Sequence, residues 1–227
     1  MNFYTTLSSA RRALLAGAFA IAGVTLLQGC FPVLAVGIGA SALIAADRRT
    51  SGTYVDDESI EWKVSDLIRK HFGTINHVNV TSYNRSVLLT GEVQNESVSA
   101  EMQRLAGTVQ NVRGVANELV VAPPSTLTSR SGDSAISTNV KSRFLTSKDF
   151  SANHIKIVTE AGTVFLLGIV TRAEGDAAAE IARTSKGVKR VVKVFEYIGE
   201  TEAQAVDARV NNTSGEPSTN GSPPEAP

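Results

Sequence analysis

Apolar residues between positions 60 and 198 follow two alternating spacings, and the chain runs through the whole alternation twice. Ile60, Val64, Leu67 and Ile68 recur at i, i+4, i+7 and i+8, which places them along one side of a helix. Two stretches of period-two alternation follow, one around Val78 and Val80 and one over Val87–Val93, joined by a short turn at Asn84-Arg85. Val98, Met102, Leu105 and Val109 return to a helical face, and Gly114 to Val121 reads as a last strand. The same order then recurs. Asn153-His154-Ile155-Lys156-Ile157 stands 77 positions after Asn76-His77-Val78-Asn79-Val80, and Val164–Val170 stands 77 after Val87–Val93. Ile136, Val140 and Phe144 repeat Ile60, Val64 and Ile68 at an offset of 76. The second copy turns at Ala161-Gly162, carries Ala177, Ala178, Ala179 and Ile181 on its second helix, and ends in a strand over 187–198. The pattern predicts an α+β chain of two tandem αββαβ domains, 55–122 and 133–200, each a three-stranded mixed sheet with two helices on one face.

The two sheets differ on their second face. Val87, Leu89, Gly91 and Val93, like Val164, Leu166, Gly168 and Val170, point to the helices. The opposite face is Leu88, Thr90 and Glu92 in the first copy but Phe165, Leu167 and Ile169 in the second. A sheet that is apolar on both sides needs a cover on the second side. The nearest cover is the sheet of the first copy, which makes Phe165, Leu167 and Ile169 interdomain candidates; a protein partner is the other. Asp56, Asp57 and Glu58 are expected at the positive N-terminus of the first helix.

The N-terminus follows a different rule. Arg11-Arg12 leads into a short apolar run that ends at Leu26-Leu27-Gln28-Gly29-Cys30, the organisation of a secretory signal. Leu, a small residue and then cysteine resemble the lipobox of bacterial lipoproteins. That resemblance implies cleavage between Gly29 and Cys30 and acylation of Cys30, with palmitate among the chains. Phe31 follows the cysteine, so the aspartate that signals inner-membrane retention is missing. Residues 1–29 then form a signal peptide and 30–54 a lipidated linker. Residues 31–46 are apolar for only about 16 positions, too few to span a bilayer. Gly37-Ile38-Gly39-Ala40-Ser41-Ala42 matches a relaxed dinucleotide fingerprint but lacks the βαβ context it needs. By composition, 123–132 is a linker and 201–227 a disordered tail.

Charge and chemistry narrow the function. The chain has 22 basic and 22 acidic residues, a balance that gives nucleic acid no general attraction. A single cysteine excludes an internal disulfide and a thiolate metal cluster. Acids exceed bases by three over 55–122, and bases exceed acids by two over 131–200, so the second copy suits an anionic lipid surface better. Turning 100° per residue from Ile136 puts Lys141, Leu145 and Lys148 on the outer side of the helix, with Phe144 at the edge. An apolar residue framed by lysines suits a membrane interface. Trp62 and Arg69 are the alternative contact on the first copy. His77 and His154 occupy equivalent positions in separate repeats, which argues against a shared metal site. No nucleophile elbow, H-E-x-x-H or P-loop occurs, so neither enzyme nor cofactor is expected.

The run V-x-L-x-G-x-V, followed by a helix and then G-V-x-x-V, resembles the BON domain of bacterial envelope proteins. With two copies behind a lipobox, residues 26–200 are similar to the dual-BON outer-membrane lipoproteins. The resemblance implies an anchored module on the periplasmic face of the outer membrane that binds anionic phospholipid and supports envelope integrity. The competing reading is a periplasmic adaptor that binds envelope proteins through the sheet face or the tail.

Overall fold

The computed structural model describes residues 47–74 and 76–215. The signal segment, Gly29, Cys30 and the glycine-rich run 37–42 lie outside the described residues. Helix α1 (Ser51–Phe72) leads to β1 (His77–Tyr83), β2 (Ser86–Val93), α2 (Glu96–Gly107) and β3 (Gly114–Val121). The second copy is α3 (Leu127–Leu145), a 3₁₀ turn, β4 (Ile155–Glu160), β5 (Thr163–Val170), α4 (Arg172–Arg183) and β6 (Arg190–Tyr197). A last helix, α5, spans Glu200–Gly215. Each sheet has three strands in sequential order, with an antiparallel first pair and a parallel second pair. The chain is therefore the α+β fold of two tandem αββαβ units that the pattern predicts.

Each unit has its own core. Ile60, Val64 and Ile68 pack with Val87, Leu89, Val93 and Met102. Val140, Phe144, Val164, Leu166, Val170 and Ala178 form the counterpart. The repeated glycine of the strand motif has a steric cause. A Cβ on Gly91 would lie 2.0 Å from the His77 carbonyl oxygen, and one on Gly168 would lie 2.5 Å from that of His154. The neighbouring strand passes too close for any side chain.

Both hairpins close through two residues with positive φ: Asn84 and Arg85 at 50° and 65°, Ala161 and Gly162 at 50° and 80°. This is the primed turn whose twist suits a hairpin, but Arg85 and Ala161 adopt it at a cost. A buried aspartate on the first helix offsets that cost in each copy. Asp57 accepts from the amides of Asn84 and Arg85, and Asp133 from those of Ala161 and Gly162.

Three expectations are corrected. Helix α1 starts at Ser51 behind the Thr50 cap, so Asp56–Glu58 stand in its second turn rather than at its dipole end. Helix α3 starts at Leu127 behind Thr126, which shortens the linker expected over 123–132. The tail is not disordered from 201. Glu200 and Glu202 occupy the first turn of α5, Ala203 is buried, and Asp207 finds a basic partner far back in the sequence.

Candidate functional site

The outward faces of the two sheets meet. Tyr83 and Leu88 of the first domain and Phe165 and Leu167 of the second form one buried cluster, with Ile169 packed against it. Phe165 is 2% exposed and Leu167 1%. Each such side chain contributes about 1.5–3 kcal/mol relative to exposure. The seam is an approximate two-fold arrangement, because the residues that face each other are related by the repeat. Tyr83 donates to the His154 carbonyl, and its repeat counterpart Glu160 approaches His77 from the other domain. Lys156 pairs with Glu61, and Arg190 with Glu118, along the rim.

Two polar groups close the ends of this seam. At one end the Arg48 side chain is 2% exposed and reaches Glu174 at 2.7 Å and Asp207 at 2.8 Å, with a further bond to the Ile169 carbonyl. It thereby ties the segment before α1 to the second domain and to α5. Burial works against the Arg48 charge, but hydrogen bonds to Asp207 and Glu174 outweigh it and raise its pKa further. Hydrogen bonding to Arg48 likewise holds the Asp207 carboxyl low. Burial opposes the charged form of Glu174, yet Arg48 and the Thr171 amide bring that group below its usual range. His154 sits beside them with its Nδ1 buried and unpartnered; burial, then the Arg48 charge, lowers its pKa. At the other end His77, Glu92 and Glu160 converge, with Asn79 donating to Glu160 at 2.7 Å. Between the ends, Arg49 bridges Asp47 and Asp57 and lies 4.1 Å over the Tyr83 ring.

The lipid-contact candidates scatter. Phe144 is 1% exposed and belongs to the second core, which removes it from any surface. Lys141 points inward and donates to the Ala152 carbonyl, where burial lowers its pKa. It lines a cleft of about 240 Å³ together with Asp47, Arg49 and Tyr83. Lys148 is exposed but lies beyond the end of α3, so it shares no helical face with Leu145. Only Leu145 projects from the helix, 66% exposed. On α1 the alternative pair is better placed. Trp62 is 68% exposed and Val55 67%, one seven-residue step apart, and Arg69 continues the stripe with its side chain 67% exposed. Arg69 and Lys70 share Asp66, whose pKa these bonds lower.

From the sequence, Asp57 has only a helix-terminus role, and Asp47, Arg48 and Arg49 have none. For its turn-bracing role a signal existed: Asp57 repeats as Asp133 at the helix offset of 76, ahead of a two-residue turn in which one position, Arg85 or Ala161, is unfavourable. Arg48 leaves no such trace, because both its carboxylate partners are more than 120 positions away. Among the described residues no helix is long and apolar enough to cross a membrane.

Comparison with known proteins gives this architecture its relatives. The BON domain model matches residues 56–123 and again 132–199. Outer membrane lipoprotein DolP of Haemophilus influenzae is 41% identical over 174 residues, covering 76% of this chain and 90% of that protein. A 21 kDa hemolysin of Actinobacillus pleuropneumoniae is 37% identical over 67% of this chain and 79% of its own length. Osmotically-inducible protein Y of Escherichia coli is 29% identical over 62% of this chain and 72% of its own. With both repeats matched and most of a two-repeat lipoprotein aligned, the chain belongs to the BON-domain family, as a dual-BON protein of the DolP type.

Proposed function

We propose that this protein is an outer-membrane lipoprotein, acylated on Cys30, that lays the outward face of α1 on anionic phospholipid and so supports the envelope. The observation that carries the reading is the stripe of Val55, Trp62 and Arg69. A tryptophan left 68% exposed beside an exposed valine suits the boundary between head groups and acyl chains. Lys63 stands next to Trp62, and Arg69 and Lys70, which share Asp66, stand about two turns further on; an unpaired basic group near an anionic surface contributes about 1 kcal/mol. The 41% identity to an outer membrane lipoprotein supports the location. The adaptor reading loses its main surface, because Phe165 and Leu167 are covered within the chain.

Trp62 is the only tryptophan, so fluorescence reports this site alone. Vesicles containing phosphatidylglycerol should shift its emission to the blue, and purely zwitterionic vesicles should do so far less. Leu145→Glu should leave the shift intact. An unshifted spectrum with vesicle-bound protein would move the contact to Leu145 or elsewhere.

A further inference from the structure

His77 opens β1, Glu92 lies directly opposite it on β2, and Glu160 ends β4 of the other domain. His77 Nδ1 is 3.0 Å from Glu92 Oε2 and 3.9 Å from Glu160 Oε1, and the three donor atoms all fall within 4.8 Å of one another. The glutamate side chains are 9% and 10% exposed. Two carboxylates this deep and this close demand a cation. Among the described residues neither makes an ion pair with lysine or arginine, and the one basic group in ion-pair range of either is the His77 imidazole. Thr90, next to Glu92 on the same face of β2 and opposite Asn79, has a buried hydroxyl with no partner. The site is thus short of positive charge.

The repeat supplies an internal comparison. The positions equivalent to His77, Glu92 and Glu160 are His154, Ile169 and Tyr83. There the seam closes with an isoleucine in the apolar cluster and a tyrosine hydroxyl on a backbone carbonyl. Packing the two sheets does not require carboxylates at this spot, so the acidic pair serves something other than packing.

We infer that His77, Glu92 and Glu160 form a divalent-cation site of the zinc type that fastens the two BON domains together. One imidazole nitrogen and two carboxylate oxygens form a donor set for zinc, with an open fourth position. Around an ion at about 2.1 Å, tetrahedral donors stand roughly 3.4 Å apart. The 3.0 and 3.9 Å separations bracket that figure, and rotation of the Glu160 carboxylate closes the rest. The outer supports are in place: Asn79 Nδ2 holds Glu160 Oε2, and the Ser125 amide holds Glu92 Oε2 at 3.0 Å. Because the ligands come from both domains, the ion binds the closed seam and not the open one.

The test uses the full chain in detergent, stripped with chelator and titrated with Zn²⁺ at neutral pH. Calorimetry should give one ion per chain. A hundredfold excess of zinc over its dissociation constant should raise the melting temperature by roughly 5–10 °C. His77→Ala and Glu160→Gln should each weaken binding at least tenfold and abolish the thermal shift, whereas His154→Ala should keep both. In chelator, Glu160→Gln should melt no lower than the wild type, since it removes an uncompensated buried charge. Absence of saturable zinc binding by the wild type, or binding kept by both triad variants, would overturn the site. So would a Glu160→Gln chain that melts well below wild type in chelator, because the carboxylate would then hold the seam without an ion.

Discussion

Arg48 is the strongest single test of how the chain is held together. Its guanidinium makes five hydrogen bonds: paired contacts of 2.7 and 2.9 Å to Glu174, paired contacts of 2.8 Å each to Asp207, and one of 3.0 Å to the Ile169 carbonyl. Arg48→Ala leaves Glu174 with its side chain only 15% exposed and without its arginine, and removes the bond to the Ile169 carbonyl. Breaking a buried pair by removing one partner costs about 3–5 kcal/mol. The Asp207 side chain is 37% exposed and water compensates it in part, so the lower end applies, about 3 kcal/mol. At about 2–4 °C per kcal/mol for a chain of this size, the melting temperature should fall by roughly 6–12 °C. Arg48→Lys should recover only part of this, because one ammonium cannot face two carboxylate forks. Hydrogen exchange supplies the spatial check: amides of α5 should lose protection in Arg48→Ala while those of β2 and β5 keep theirs. A variant that melts within a degree of wild type with α5 still protected would refute the clamp.

Two further outcomes follow from the seam. Leu167→Lys places an ammonium in the apolar cluster between the sheets but touches neither domain core; spin labels on the two domains should report a broadened distance while each domain keeps its secondary structure. Stability should also fall on acidification from about pH 6.5, the usual histidine value: burial and Arg48 hold the folded His154 pKa below that of the unfolded chain, so the unfolded state binds the proton first. The loss is bounded at about 1.4 kcal/mol per pH unit for one proton, and Glu174 and Asp207, whose folded pKa values are depressed, extend it below the carboxylate range. Glu160 acts in the opposite sense, so His154→Asn, which removes only the histidine proton, should flatten the slope between pH 6.5 and 5.5.

What the sequence disclosed and what it hid divide along the range of the forces involved. Strands and hairpins were legible because period-two alternation and turn position are local, and the repeat doubled every signal. The meeting of Phe165 and Leu167 with the first sheet was foreseeable because an apolar second face has few ways to be covered. The helix face read from Ile136 misled for a tertiary reason. Lys141 lies off the core of its own domain, but there the 3₁₀ turn at Ala152 and the residues before α1 cover it. Lys148 failed for a local one, since the Thr146 cap ends the helix before the residue is reached. The tail was misjudged because the Ser-, Pro- and Gly-rich end diluted the helix-forming run that opens it, and because its anchor, Arg48, lies at the other end of the described chain.

The place where the clamp holds the chain also bears on how strong the lipid contact must be. On the proposed acylation of Cys30, the stretch from there to Arg48 is what separates the membrane from a fixed point on the folded body. Its contour cannot exceed about 65 Å at roughly 3.3–3.6 Å per residue. A surface tethered that closely meets its target at an effective concentration in the millimolar range. A contact as weak as one tryptophan and a few basic groups is then occupied for much of the time, although the same contact without the anchor binds poorly. Loss of Trp62 should therefore leave the anchored protein in the membrane fraction and change only how the body lies against it. Fractionation reports the anchor, whereas Trp62 fluorescence reports the contact. The clamp joins the two measurements, because releasing Arg48 lengthens the tether and detaches α5 from the second domain. In Arg48→Ala the blue shift should weaken with the anchor still in place, and an undiminished shift would mean that the position of the folded body does not depend on where the chain enters it.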